Sequence, residues 1–327
     1  MTRKYAEFDM LRVVALGMIL TCHFIRSIGF HRLDIPLGCV GNMIFFVMSG
    51  WLLGLAWENK NYPFYGWQFL KRRLLRLAIP LWLFAIPYMI WFKVSGHALS
   101  LKDVFLNLSL LNWLARIPGM TPFWFITAIS AFYIAVIALS RIKFQRNHSL
   151  ATAMSLTVSV VLLQMVLSLC GIRYGYILVM MLCGALAFFN ANRLLTLIRT
   201  LARRHGFTLI AGIGGGLFIA YWRLVCNDLI VVGTPLCYYL TIPMALLIAV
   251  IAFFISLAFK KTQVVTFVSS ISYEVYLVHA AMLLWTKPVS GSITSYALLF
   301  LIGTFILAIP LHYTSSLLVK SVTGRNG

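Results

Sequence analysis

Stretches of about twenty apolar residues recur along this chain, and that repetition restricts its fold more than any other feature. They run over roughly 9–30, 38–57, 74–92, 122–140, 150–170, 174–191, 207–225, 236–259, 270–286 and 293–318. Coiled as an α-helix, a run of that length matches the hydrocarbon thickness of a bilayer and satisfies its backbone N–H and C=O groups internally. The expected fold is all-α: a polytopic membrane protein of about ten transmembrane helices, forming one integral-membrane domain over residues 1–327. Composition points the same way. The chain is 61% hydrophobic and 10% charged, where a water-soluble domain carries about 25% charge. The first run is too long, and too polar on one face, for a cleaved signal peptide.

A net charge of +20 raises nucleic acid as a partner, and topology answers it. With the N-terminus cytoplasmic, nineteen of the 27 Lys and Arg fall on inner segments and eight on outer ones. Every inner loop is then basic, and an even number of spans leaves both termini in the cytoplasm. The basic balance therefore records orientation, and no nucleic-acid partner is expected. Six cysteines lie scattered in apolar runs without C-x-x-C or Cys/His spacing, so no metal is expected and buried thiols are. Two connecting segments carry helical patterns of their own. Ser100 to Trp113 opens on a Ser-x-x-Asp capping pattern, and Asn192 to His205 reads as a basic amphipathic helix on the inner surface.

Ionisable groups at membrane depth cost several kcal/mol each unless they face protein or water, so they mark a site by default. The first run carries four: Asp9, Arg12, His23 and Arg26. Arg12 and His23 stand eleven residues apart, close to three turns, which puts them on one face and about 16 Å apart along the axis. Asp9 and Arg26 lie within about 60° of that face. A second grouping is Lys71, Arg72, Arg73 and Arg76 at the inner mouth of the third run. There, guanidinium forks suit phosphate, while plain anchoring at the inner leaflet accounts for the same charges. A third is SYEVYLVH, in which Ser272, Tyr276 and His279 share a helix face; bonds between neighbouring helices explain such a face as well as a site does. The fourth, GNMIFFVMSGW, offers Gly41, Ser49 and Gly50 for close helix approach and Trp51 for stacking. The Gly212–Gly216 run lacks the strand and turn of a nucleotide loop and reads as helix packing.

Taken together these stretches resemble acyltransferase family 3, integral-membrane O-acyltransferases that modify cell-surface glycans. The resemblance rests on Asp9-x-x-Arg12 with His23 after ten further residues, FFVMSGW ending at Trp51, and Arg73-x-x-Arg76. It continues through Phe123-Trp124-Phe125 and Ser272-x-x-x-Tyr276-x-x-His279. It implies a bacterial cytoplasmic-membrane enzyme whose donor is cytoplasmic acyl-CoA, most often acetyl-CoA. Its acceptor is a hydroxyl of a glycan or of a lipid-linked glycan precursor, met among membrane lipids.

The residues fit such a chemistry. Arg72, Arg73 and Arg76, with Lys71, would hold the phosphates of CoA. His23 would act as general base or acyl carrier, and Arg12 or Arg26 would stabilise charge on the carbonyl oxygen. Asp9 stands on the stripe too far away to touch His23; Glu274, Asp34 and Asp228 are candidates to orient it. Ser49, Trp51, Trp124, Ser272, Tyr276 and His279 are supporting candidates. The aromatics Trp113, Trp124, Tyr238, Tyr239 and Trp285 suit either sugar stacking or an interfacial belt. A transporter or glycan exporter using the same stripe is the competing function. The sequence is silent on oligomeric state.

Overall fold

The computed structural model describes residues 6–29, 31–58, 67–114, 117–141, 175–203 and 262–323, with isolated positions between 212 and 255. Every regular element among the described residues is helical. The helices are α1 Ala6–Ser27, α2 His31–Glu58, α3 Trp67–Val94, α4 Leu101–Leu108, α5 Trp124–Arg141 and α6 Gly175–Phe189. They continue with α7 Ala191–Arg203, α8 Gln263–Ser270, α9 Ser272–Thr286 and α10 Ile293–Thr323. Short 3-10 turns occupy Asn112–Leu114 and Thr121–Phe123.

Five helices among the described residues are long and apolar enough to cross a bilayer: Glu7–Ser27, Leu37–Trp57, Trp67–Val94, Thr121–Ala138 and Ile293–Thr323. Two broken pairs bring the number to as many as seven. The expected spans at 150–170, 207–225 and 236–259 lie largely outside the described residues, as do Cys170, Cys226 and Cys237. Gly212, Gly215 and Gly216 have no neighbour within 4 Å of where a Cβ would stand, so close packing does not account for them among the described residues.

Helix α3 starts seven residues before the apolar run does. Lys and Arg are good helix formers whose alkyl stems lie along apolar surface, so Lys71 to Arg76 extend the helix instead of preceding it. Helix α4 begins as its capping pattern predicts: the Ser100 hydroxyl accepts from the Asp103 amide at 3.0 Å and donates to its carboxylate at 2.6 Å. The amphipathic segment is also present. Its first part, Ala191–Ile198, turns 80° from Ile177–Phe189, burying Ala191, Leu195 and Ile198 while Asn192, Arg193 and Thr196 stay exposed.

The helices form two compact units, each assembled from separate stretches of chain: residues 1–64 with 138–269, and residues 65–137 with 270–327. In the first, α2 packs along α1 and along α6. Small residues set both seams. A Cβ on Gly41 would stand 2.9 Å from the Ala15 carbonyl oxygen and from Ile19 Cγ1. On Gly50 it would overlap the Gly184 carbonyl, and on Gly54 that of Phe188. In lipid, where apolar contact alone drives little association, such backbone-to-backbone approach is what holds helices together.

In the second unit α3 and α9 run side by side in the same direction. The Tyr273 hydroxyl donates to the Leu77 carbonyl at 2.8 Å near one end, and Trp91 meets Trp285 edge to face at 5.1 Å near the other. Helix α10 returns antiparallel, with Tyr296 bonded to the Leu283 carbonyl and Ser315 to Glu274. Trp82 ties α3 to α4 through the Leu108 carbonyl at 2.7 Å.

Candidate functional site

In the first unit, Asp9 and Arg12 occupy one face of α1, three residues apart, as the stripe requires. Their charged atoms stand 4.0 Å apart, at the outer limit of an ion pair. The gap is bridged from the far end of the sequence. Arg12 Nη1 donates to the Ser269 hydroxyl at 3.0 Å, and that hydroxyl donates to Asp9 Oδ1 at 2.8 Å. A hydroxyl suits this position because it accepts from a cation and donates to an anion at once. The arginine side chain keeps 30% of its surface accessible and the aspartate 19%. His23 follows three turns along α1, half-buried, with Arg26 exposed beyond it. The structure thus joins Asp9 to Arg12 through a residue that sequence reasoning missed. The signal was the cluster Ser269, Ser270, Ser272 in an otherwise apolar stretch.

Trp51 is fully packed. Its indole N–H donates to the Ala191 carbonyl at 2.9 Å, and its ring meets Phe8 edge to face at 5.1 Å. Ser49, on the same helix, is half-buried. Cys22 and Cys183 are buried thiols of the same unit.

In the second unit, Lys71 and Arg76 are exposed and Arg72 and Arg73 half-buried on the second and third turns of α3. Arg73 lies over the Phe69 ring at 5.3 Å, a cation–π contact that orients its guanidinium. The SYEVYLVH residues are buried on α9. The Tyr276 hydroxyl bonds the Pro122 carbonyl and its ring meets Phe125. His279 Nδ1 lies 2.6 Å from the Tyr276 carbonyl, and Ser272 is buried at the start of the helix. Trp124 stands half-buried at the start of α5, edge-on to Phe125. Tyr276 thereby ties α9 to the turn before α5, as bundle-tying residues do, while the His279 contact stays within α9.

Of the carboxylates weighed as partners for His23, Glu274 is held within its own unit. Its Oε1 accepts from Ser315 at 3.2 Å and stands 3.2 Å from His312 Nδ1. Its Oε2 is buried with no hydrogen-bond partner among the described residues. The pair His312 and Ser315, spaced i, i+3 in an apolar helix, was the readable sign of this cluster. The side chains of Asp34 and Trp113, and residues Asp228, Tyr238 and Tyr239, lie outside the described residues. Among the described residues, no three His, Cys, Asp or Glu gather as metal ligands.

No curated protein and no solved structure was found to match this chain. A family model described as an acyltransferase domain does match, over residues 5–313, in one stretch that takes in helices of both units. Nearly the whole of this helical membrane chain is thus covered, and the chain belongs to acyltransferase family 3.

Proposed function

We propose that this integral-membrane acyltransferase moves an acyl group, acetyl above all, from cytoplasmic acyl-CoA to a hydroxyl of a cell-surface glycan or its lipid-linked precursor. The setting is the bacterial cytoplasmic membrane, with both termini on the cytoplasmic side. Family membership is the observation that carries the transferase reading. The part-accessible Arg12–Ser269–Asp9 chain, between the first two turns of the spanning first helix and α8, supports a working site there, because charged groups within a spanning helix cost too much to keep idle.

In this reading Lys71, Arg72, Arg73 and Arg76 bind the donor phosphates. His23 takes the proton of the acceptor hydroxyl as its oxygen attacks the thioester carbonyl. The carbon–sulfur bond then breaks, and CoA leaves as the thiol once the proton returns to sulfur. Arg26, one turn from His23 on the same helix, stabilises the oxyanion, and Arg12, held in place by Ser269 and Asp9, lies on the path of the donor's arm. If His23 carries the acyl group instead, the same residues serve two successive transfers.

The test is acyl transfer in membranes holding equal amounts of folded protein. His23→Ala and Arg12→Ala should each abolish release of free CoA thiol and acylation of surface glycans. Arg73→Ala should chiefly raise KM for acyl-CoA. A His23→Ala variant with wild-type turnover would remove that residue from the chemistry. Failure of the wild type to consume acyl-CoA would favour the exporter.

A further inference from the structure

One buried carboxylate takes no part in the proposed reaction. Glu274, on the first turn of α9, keeps 5% of its surface, and α9 with α8 makes up one of the broken spans. A carboxylate so placed is costly, and cost of that kind points to use. Its Oε1 is fixed by the Ser315 hydroxyl at 3.2 Å and stands 3.2 Å from His312 Nδ1. Its Oε2 meets no hydrogen-bond partner among the described residues.

The histidine is less enclosed than its neighbours. Its side chain keeps 23% of its surface, whereas Ser315, one turn along α10, is 2% exposed. Among the described residues nothing in the protein bonds the second ring nitrogen, Nε2. A carboxylate on one side of an imidazole sets its tautomer and its orientation. With the proton on Nδ1, facing Glu274, the lone pair lies on Nε2, as in an activated base or nucleophile. The 3.2 Å separation is at the limit of proton-transfer reach, as is common in such pairs before substrate arrives.

The position of the pair indicates its substrate. Tyr273, the residue before Glu274, donates to the carbonyl of Leu77, the residue after Arg76. The pair therefore lies at the level where the basic cluster of α3 ends. Helix α10 packs on α3 as well as on α9, and all three helices belong to one compact unit. From Arg72 to Leu77 is five residues, about 8 Å of rise, and neighbouring helix axes stand about 8–10 Å apart. A donor with its phosphates on Arg72 and Arg73 has its thioester at the end of a pantetheine arm long enough to cover that span.

We infer that His312 takes the acyl group from the donor before the acceptor does. Nε2 attacks the thioester carbonyl carbon, and the carbon–sulfur bond breaks. The Nδ1 proton passes to Glu274 Oε1 and from there to sulfur, so CoA leaves as the thiol and the acylated imidazole is neutral. Transfer to a hydroxyl then breaks the carbon–nitrogen bond and returns the hydroxyl's proton to the ring. This rests on the donor reading of the α3 cluster and adds a covalent step to it.

The test uses the full chain in nanodiscs with acetyl-CoA and no acceptor. The wild type should release a burst of CoA thiol stoichiometric with protein, and should carry a hydroxylamine-sensitive acetyl label on the peptide that holds His312. His312→Gln should lose the burst, and Glu274→Gln should slow it by roughly 100-fold. CoA should raise the Tm of both variants as it does that of the wild type, which shows them folded and able to bind. A label on another residue, a burst that survives His312→Gln, or turnover with acceptor and no burst would overturn the step; the label is read on the wild type and needs no variant to fold. A wild-type chain that CoA does not stabilise would overturn the donor reading and the step with it.

Discussion

Ser269→Ala removes a side chain that joins Asp9 to Arg12 of α1. It deletes a hydroxyl taking part in two hydrogen bonds to charged groups, at 3.0 and 2.8 Å. Each such bond contributes about 1.5–3 kcal/mol. Not all of that is lost, because Arg12 and Asp9 stand 4.0 Å apart and can close into a direct ion pair. With 30% and 19% of their side-chain surface accessible, water screens that pair, so its recovery is held to about 1 kcal/mol. The net loss is about 2–5 kcal/mol, at its lower end roughly 30-fold in rate if it falls on the transition state. Thiol release from acyl-CoA, followed in membranes at matched protein level, should show that drop in kcat/KM. Ser269→Thr keeps a hydroxyl that accepts and donates, and should restore most of the rate. Two results refute the reasoning: an alanine variant within twofold of wild type, or a threonine variant as impaired as the alanine one.

Helix packing supplies a second prediction. Gly50→Ala places a methyl 2.6 Å from the Gly184 carbonyl carbon, well inside contact distance, and should cost about 1–3 kcal/mol of overpacking. Gly17→Ala meets nothing within 4 Å and should stabilise α1 by about 0.5–1 kcal/mol; unfolding of the two purified variants should move in opposite directions. The buried Glu274–His312 contact gives a third. Glu274→Leu removes the acceptor of Ser315 and the neighbour of His312 and should destabilise by about 1–3 kcal/mol, whereas Glu274→Leu/His312→Leu should regain part of that loss, as denaturation of the single and double variants would report.

Hydropathy and local spacing were enough to find what the chain is made of. The start of α10, the end of α9, the Ser100 cap and the amphipathic helix after α6 all follow from runs, caps and 3.6-residue periods that lie within one segment. The pairing of Asp9 with Arg12 was legible for the same reason. Its bridge was not: Ser269 stands 257 residues from Arg12, and no local pattern fixes which helices become neighbours. The same holds for Glu274. On its own helix it reads as a loose carboxylate able to turn towards a catalytic imidazole. Only the return of α10 reveals that His312 and Ser315 occupy it.

That difference also divides the motif residues into two kinds. A group that works on substrate must keep surface for substrate to touch. Trp51, Ser272, Tyr276 and His279 keep almost none; the indole N–H of Trp51 and the hydroxyl of Tyr276 meet backbone carbonyls of other elements in their own units, and His279 Nδ1 meets a carbonyl of its own helix. Trp51 fixes α2 to the start of α7, and Tyr276 fixes α9 to the turn before α5. Arg12, His23 and the Arg72–Arg76 cluster retain accessible surface, and their charge would be a poor device for packing helices in lipid. Substitutions at the first kind should therefore act through the amount of folded protein, and those at the second through turnover at a constant amount. Thiol release divided by folded protein separates them, and a Tyr276→Phe variant that folds normally yet transfers no acyl group would break the division.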